Sequence, residues 1–91
     1  MALIFEWDTN KARTNILKHG ISFEEASTLF ADENSITIDD PAHSIREKRT
    51  ITMGLSVRKN LIVAVHTERQ GVIRIISARL ASRKEKKQYR I

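Results

Sequence analysis

Apolar positions recur along this chain at two different periods, and the change between them divides it. Leu3-Ile4-Phe5-Glu6-Trp7 is short and β-prone and predicts a first strand. Asp8 stands where a helix N-cap belongs. Ala12, Ile16 and Leu17 follow at helical spacing, predicting a helix from about Thr9 to His19 with those three on its buried side and Gly20 as its left-handed stop. Ser22-Phe-Glu-Glu25 is a capping-box pattern, with Ile21 before it and Ala26 placed to meet Ile21 as a hydrophobic staple. The second helix it opens runs to about Phe30 and buries Phe23, Ala26, Leu29 and Phe30.

From Ser35 the period falls to two. Ile36 and Ile38 alternate with Thr37 and Asp39, and Pro41 marks a turn. Ile51, Met53, Leu55 and Val57 then face one way, while Thr50, Thr52, Gly54 and Ser56 face the other. Arg58-Lys59-Asn60 reads as a hairpin loop with Asn60 at positive φ. Leu61–Arg69 is a well-buried strand, Gln70-Gly71 a tight turn, and Val72–Arg79 the return strand. Ser82-Arg-Lys-Glu85 is another capping box, opening a short basic helix that carries Tyr89. The order β-α-α-β-β-β-β-α predicts one α+β domain over residues 1–91, with two N-terminal helices packed on one face of an antiparallel sheet and a short C-terminal helix. Two helices cover only one face, which leaves the other for solvent or a ligand.

Composition narrows the chemistry. There is no cysteine, so disulfides, thiolate metal sites and a cysteine nucleophile are excluded. The longest apolar run, Leu61–Val65, is too short to span a bilayer and no signal-peptide core follows Met1, so the expectation is a cytoplasmic protein without a membrane partner. The net charge of +5 conceals a split. Residues 1–45 carry three Lys/Arg against eight Asp/Glu, whereas residues 46–91 carry thirteen against three. The basic half belongs to the meander and closing helix; the acidic half is expected on the first strand, the two helices and the turn at Pro41. Such asymmetry points to a polyanion, most often nucleic acid, although a small soluble domain can also simply be charged all over.

Cleavage of RNA by its own 2′-hydroxyl needs a base at that hydroxyl, cations for the pentacoordinate phosphorane and an acid for the leaving 5′-oxygen. Arginine suits the second task, because its planar fork bonds two phosphate oxygens and keeps its charge. Arg46 and Arg49 lie before and inside the third strand, Arg69 ends the fourth, and Arg74 and Arg79 lie on the fifth. Arg69 and Arg79 share the parity of the apolar runs Leu61/Val63/Val65 and Ile73/Ile75, which puts them at the sheet's rim. They are equally readable as edge arginines that pair with Glu6, Glu47 and Glu68 or deter aggregation. His19, His43 and His66 are the acid–base candidates. Each also has a plain role: His19 at a helix C-terminus, His43 in a solvated loop, His66 half-buried in the sheet. Their spacing matches no zinc motif, and Asp39 and Asp40, adjacent on a strand, point opposite ways, so neither a metal nor another cofactor is expected. Tyr89 sits among Arg83, Lys84, Lys86, Lys87 and Arg90, where it either stacks on a base, donates a proton or anchors its helix.

Several stretches together are similar to a known family. Phe5-Glu-Trp-Asp8, Lys11, Asn15, Lys18-His-Gly-Ile-Ser-Phe-Glu-Glu-Ala26 and Phe30 resemble the first half of the BrnT toxins. Arg46-Glu-Lys-Arg49, Gly54, Arg74-Ile-Ile-Ser-Ala-Arg79, Glu85 and Tyr89 resemble the second half. The likeness covers nearly the whole chain in order. It implies a RelE-like fold and a ribonuclease toxin of a type II toxin–antitoxin pair. Such a toxin cuts RNA without a metal, inhibits translation, is neutralised by a BrnA-like antitoxin and reaches operator DNA only through that complex. It also implies that basic and aromatic residues act on the sheet face away from the helices. On the matching stretches the catalytic candidates are Arg49, Arg79, Tyr89 and His19, with Arg69 added on geometry; Arg46, Arg74, Arg83, Lys84 and Lys87 are candidates for holding RNA. Arginine is a poor base at neutral pH, so His19, His66 or the substrate itself must fill that role. The competing reading is a non-catalytic basic module that binds nucleic acid or a partner. A DNA-binding regulator fits less well, because the helix after Gly20 is acidic at Glu24 and Glu25.

Overall fold

A computed structural model describes residues 3–40 and 48–89 of the chain. The expectations placed on Pro41, His43 and Arg46 lie outside the described residues. β1 (Ile4–Glu6) leads through Asp8, whose side chain accepts from the Lys11 N–H, into α1 (Thr9–His19), which Gly20 ends. Ser22 caps α2 (Phe23–Thr28) through the Glu25 N–H, and a 3₁₀ turn, Leu29–Ala31, follows where a single longer helix was expected. The meander is β2 (Ile36–Asp39), β3 (Thr50–Leu55), β4 (Leu61–Arg69) and β5 (Val72–Leu80), closed by α3 (Arg83–Lys86) with its capping box intact.

The five strands form one sheet in the order β1-β5-β4-β3-β2. The meander is antiparallel, but β1 pairs parallel with β5, so the sheet is mixed rather than wholly antiparallel. Three antiparallel steps turn β5 opposite to β2, so β1, which runs with β5, is antiparallel to β2: the α1–α2 connection carries the chain from one edge of the sheet to the other and reverses its direction. One face is dry. Phe23, Ala26 and Leu29 pack there on Ile62, Ala64, Ile73, Ile75 and Ala78, with Phe5, Trp7, Ala12 and Phe30 at the margin. Gly54 on β3 permits this close packing, since a Cβ there would meet the Leu29 carbonyl oxygen at 3.0 Å.

The second face is not left bare. Met53, Val63 and Ala81 form a smaller apolar cluster with Ile36, Ile51, Leu61 and Tyr89, so the α3 segment covers part of it. Three local expectations are corrected. In the β3–β4 loop it is Lys59 that takes positive φ, while the Asn60 amide donates to Glu25 at 2.7 Å. Ile16 and Leu17 are 48% and 84% exposed, and the buried position of α1 is Asn15. The acidic half does not include α1, which carries Lys11, Arg13 and Lys18 and no acid.

Candidate active site

The side that Arg79 takes depends on an irregularity in β5. Val65 pairs with Ser77 and His66 with Ile75, so Ile76 is an extra residue with no partner on β4. A bulge inverts the alternation beyond it. Counted straight from Ile73 and Ile75, Arg79 shares their parity, as the sequence suggested; in the structure it is paired with Val63 and lies on the opposite face. The consequence is convergence. Arg74 before the bulge, Arg79 after it and Arg69 on the Val63/Val65 side of β4 all take the face away from α1 and α2.

Arg69 and Arg74 meet at the end of the β4–β5 hairpin. They line an open cleft of about 390 Å³ together with Glu6, Thr67, Gln70 and Val72. The register puts Glu6, Arg74 and Thr67 in one row across β1, β5 and β4. Arg49 stands one residue before β3, not within it, and because Thr50 pairs with His66 it comes level with Thr67. Three arginines from β4 and β5 therefore share one face, with Arg49 at the entrance to β3 level with them at Thr67.

Two of them are held by carboxylates. Arg74 donates to Glu6 at 2.9 Å, and both side chains are about half exposed. Arg79 makes a two-pronged bond to Glu85, at 2.8 and 2.9 Å. That bond, with the backbone N–H of Ser82, holds the Glu85 carboxyl down to about 2. Such exposed pairs contribute about 0–1 kcal/mol each and exchange readily for another anion.

The remaining candidates are dispersed. Tyr89 is half-buried against the second cluster, and its hydroxyl donates to Asp32, which raises the phenol to about 12. Burial pushes the Asp32 carboxyl up, but hydrogen bonds from Tyr89, Leu55 and Asn34 outweigh it and keep it below the usual range. His66 is fully rather than half buried and lies on the helix face. Its Nε2 is 2.8 Å from the Thr52 hydroxyl, its ring stands edge-on to Phe30, and burial lowers it to about 4. It is separated from the arginines by the thickness of the sheet. His19 is exposed at the end of α1 and lines a different cleft, of about 270 Å³, where α1 crosses β5 at Ile76 and Ser77. Arg83, Lys84 and Lys87 are exposed on and just after α3. Among the described residues no three His, Asp or Glu side chains gather as a metal site.

The family description "Ribonuclease toxin, BrnT, of type II toxin-antitoxin system" matches residues 7–85, most of the chain. The chain belongs to the BrnT family. Its fold is similar to that of the Brucella abortus ribonuclease toxin BrnT, with a TM-score of 0.70 over 90% of this chain and 100% of that one, at 22% identity. No curated protein is similar enough to register as a match. Membership makes this a ribonuclease toxin with an antitoxin partner and an RNA substrate. No helix among the described residues is long and apolar enough to cross a membrane.

Two features of the site lacked a usable sequence signal. The Ile76 bulge gives none, since Ile75 and Ile76 read as one strand-forming pair with nothing to mark the second as unpaired. The polar stripe Lys11, Thr14, Asn15, Lys18 on α1 stands at helical spacing, but so do the apolar Ala12 and Ile16 beside it, and nothing local decides which side turns to the sheet.

Proposed function

We propose that this toxin cleaves RNA without a metal, in the cytoplasm, on the sheet face that carries Arg69, Arg74 and Arg79. The observation that supports this is the face those arginines share, to which the Ile76 bulge brings Arg79, with Arg69 and Arg74 in one cleft and Arg49 level with Thr67. The 2′-oxygen attacks phosphorus as its proton passes to a base, the P–O5′ bond breaks, and an acid protonates the leaving oxygen. The products are a 2′,3′-cyclic phosphate and a 5′-hydroxyl. Guanidinium groups released from Glu6 and Glu85 neutralise the phosphorane oxygens. His66 is buried on the other face and His19 lies in the neighbouring α1–β5 cleft, so proton transfer falls to His19 only where the RNA spans both clefts, and otherwise to the substrate itself. Tyr89 holds α3, because its proton is committed to Asp32. Arg83, Lys84 and Lys87 add charge for the RNA backbone, together with Arg46.

Cutting RNA in this way inhibits translation. A BrnA-like antitoxin neutralises the toxin by covering the arginine face with acidic or apolar groups, and the complex, not the toxin alone, binds operator DNA. The test has two parts. Induced expression arrests growth unless the antitoxin is co-expressed, and purified protein cuts RNA in EDTA to leave cyclic phosphate ends. Harmless expression with intact RNA would replace the nuclease with a non-catalytic binding module.

A further inference from the structure

β1 covers only residues 72–74 of β5, so the outer margin of β5 beyond Arg74 is open to α1. There α1 and β5 enclose the second cleft. Lys11, Thr14, Lys18 and His19 reach it from the helix, and Ile76 and Ser77 form its sheet wall. No Asp or Glu lines it, and Lys18 and His19 have no carboxylate partner among the described residues. Lys11 and Lys18 are two turns apart on one helix face, roughly 10 Å along the axis, with Thr14 between them. Ser77 links this cleft to the arginine face, because it lies on β5 between Arg74 and Arg79.

We propose that the α1–β5 cleft binds the phosphodiester backbone of the RNA, so that the strand leaves the arginine face over the open margin of β5 and continues along α1. The inference rests on RNA being the ligand of that face. The charge favours it: an acid-free cleft with two ammonium groups and hydroxyl donors suits a chain of phosphates, and it opens beside arginines suited to the same chemistry. Bulging at Ile76 shapes both sites, which fixes their separation.

Binding is measured by fluorescence anisotropy against salt, with an oligoribonucleotide whose 2′-hydroxyls are methylated so that it stays uncut. The Lys11→Gln/Lys18→Gln double variant weakens binding and lowers the salt slope by about 1.4, as for two lost single-strand phosphate contacts. Lys11→Arg/Lys18→Arg restores both. Arg13→Gln, on the same helix but outside the cleft, moves them less than either lysine does. An unchanged slope in the double variant overturns the proposal, as does an equal effect from Arg13→Gln or a wild-type protein that binds no RNA. Loss of antitoxin binding with RNA binding intact overturns it in favour of a protein surface. Because the probe is uncleavable, a protein that binds through the two lysines but never cuts RNA sinks the nuclease reading and leaves this one standing.

Discussion

The side-chain amide of Asn15 pairs with the backbone of Ala78 at both of its ends. Oδ1 accepts from the Ala78 N–H at 3.1 Å, while Nδ2 donates to the Ala78 carbonyl at 2.7 Å and to that of Ile21 at 2.9 Å. This imitates a neighbouring strand at the point where β1 has ended and the edge of β5 would be bare. It explains why α1 turns a polar residue inward and leaves Leu17 in solvent. A buried backbone pair without partners costs more than an exposed leucine.

Asn15→Ala is therefore expected to destabilise the fold by about 2–4 kcal/mol, through lost hydrogen bonds and an unfilled site. Asn15→Asp, of similar shape, keeps the acceptor but faces two carbonyl oxygens with a carboxylate, and falls in the same range. Urea denaturation measures both; a loss below 1 kcal/mol for Asn15→Ala would show that the pairing contributes little.

If the guanidinium fork is what the reaction needs, charge alone does not replace it. Arg79→Lys and Arg74→Lys each lower cleavage by roughly a hundredfold while the melting temperature stays put, because both side chains are exposed and their ion pairs are weak. Full activity in either lysine variant removes that arginine from the site.

The helix caps were reliable guides because they depend on near neighbours, whereas the helical period misplaced Ile16 and Leu17, whose side of α1 is decided by the distant backbone of Ala78. Asp8, Ser22, Ser82 and Gly20 act as their positions suggest. The parallel β1–β5 pair was not legible, since nothing local to Ile4–Glu6 records which strand it will meet. Arg79 shows the same limit within one strand: its face was misjudged because an unpaired Ile76 is chemically indistinguishable from a paired one. His66 was placed on the right face, but its complete burial depends on Phe30 closing over it, a contact 36 residues away in sequence.

Tyr89 gives a test of anchor against acid. Tyr89→Phe keeps the ring in the Met53/Val63 cluster and removes only the bond to Asp32, at a cost of about 1 kcal/mol. The phenol is raised to about 12 by that bond, so its stabilisation is complete below pH 10 and is lost as pH rises towards 12. The variant lacks this alkaline loss. Cleavage abolished in a Tyr89→Phe protein of unchanged stability would instead make the hydroxyl chemical.

His66 sets the acid side. Burial lowers it from 6.5 to about 4, so between those values the unfolded chain binds a proton that the folded one refuses. Stability then falls as pH drops through this window, by up to about 3 kcal/mol. His66→Gln, which does not titrate, flattens the curve between pH 6.5 and 4. A wild-type curve that is already flat there would mean that the imidazole is solvated.

If Arg79 holds a phosphate, Glu85 competes with the RNA for it. Its carboxylate occupies both nitrogens that a phosphate would use, and at about 2 its pKa keeps it ionised at any pH where the toxin works. Glu85→Gln removes the charge but keeps an oxygen for the Ser82 N–H, so α3 keeps its cap while Arg79 is freed. Binding of uncleavable RNA tightens, and its salt slope steepens by about 0.7, one additional phosphate contact on a single strand. Unfolding free energy drops by about 1 kcal/mol or less, as befits an exposed pair. Weaker RNA binding in Glu85→Gln would reverse the assignment, because the carboxylate would then be orienting Arg79 towards the phosphate and not withholding it.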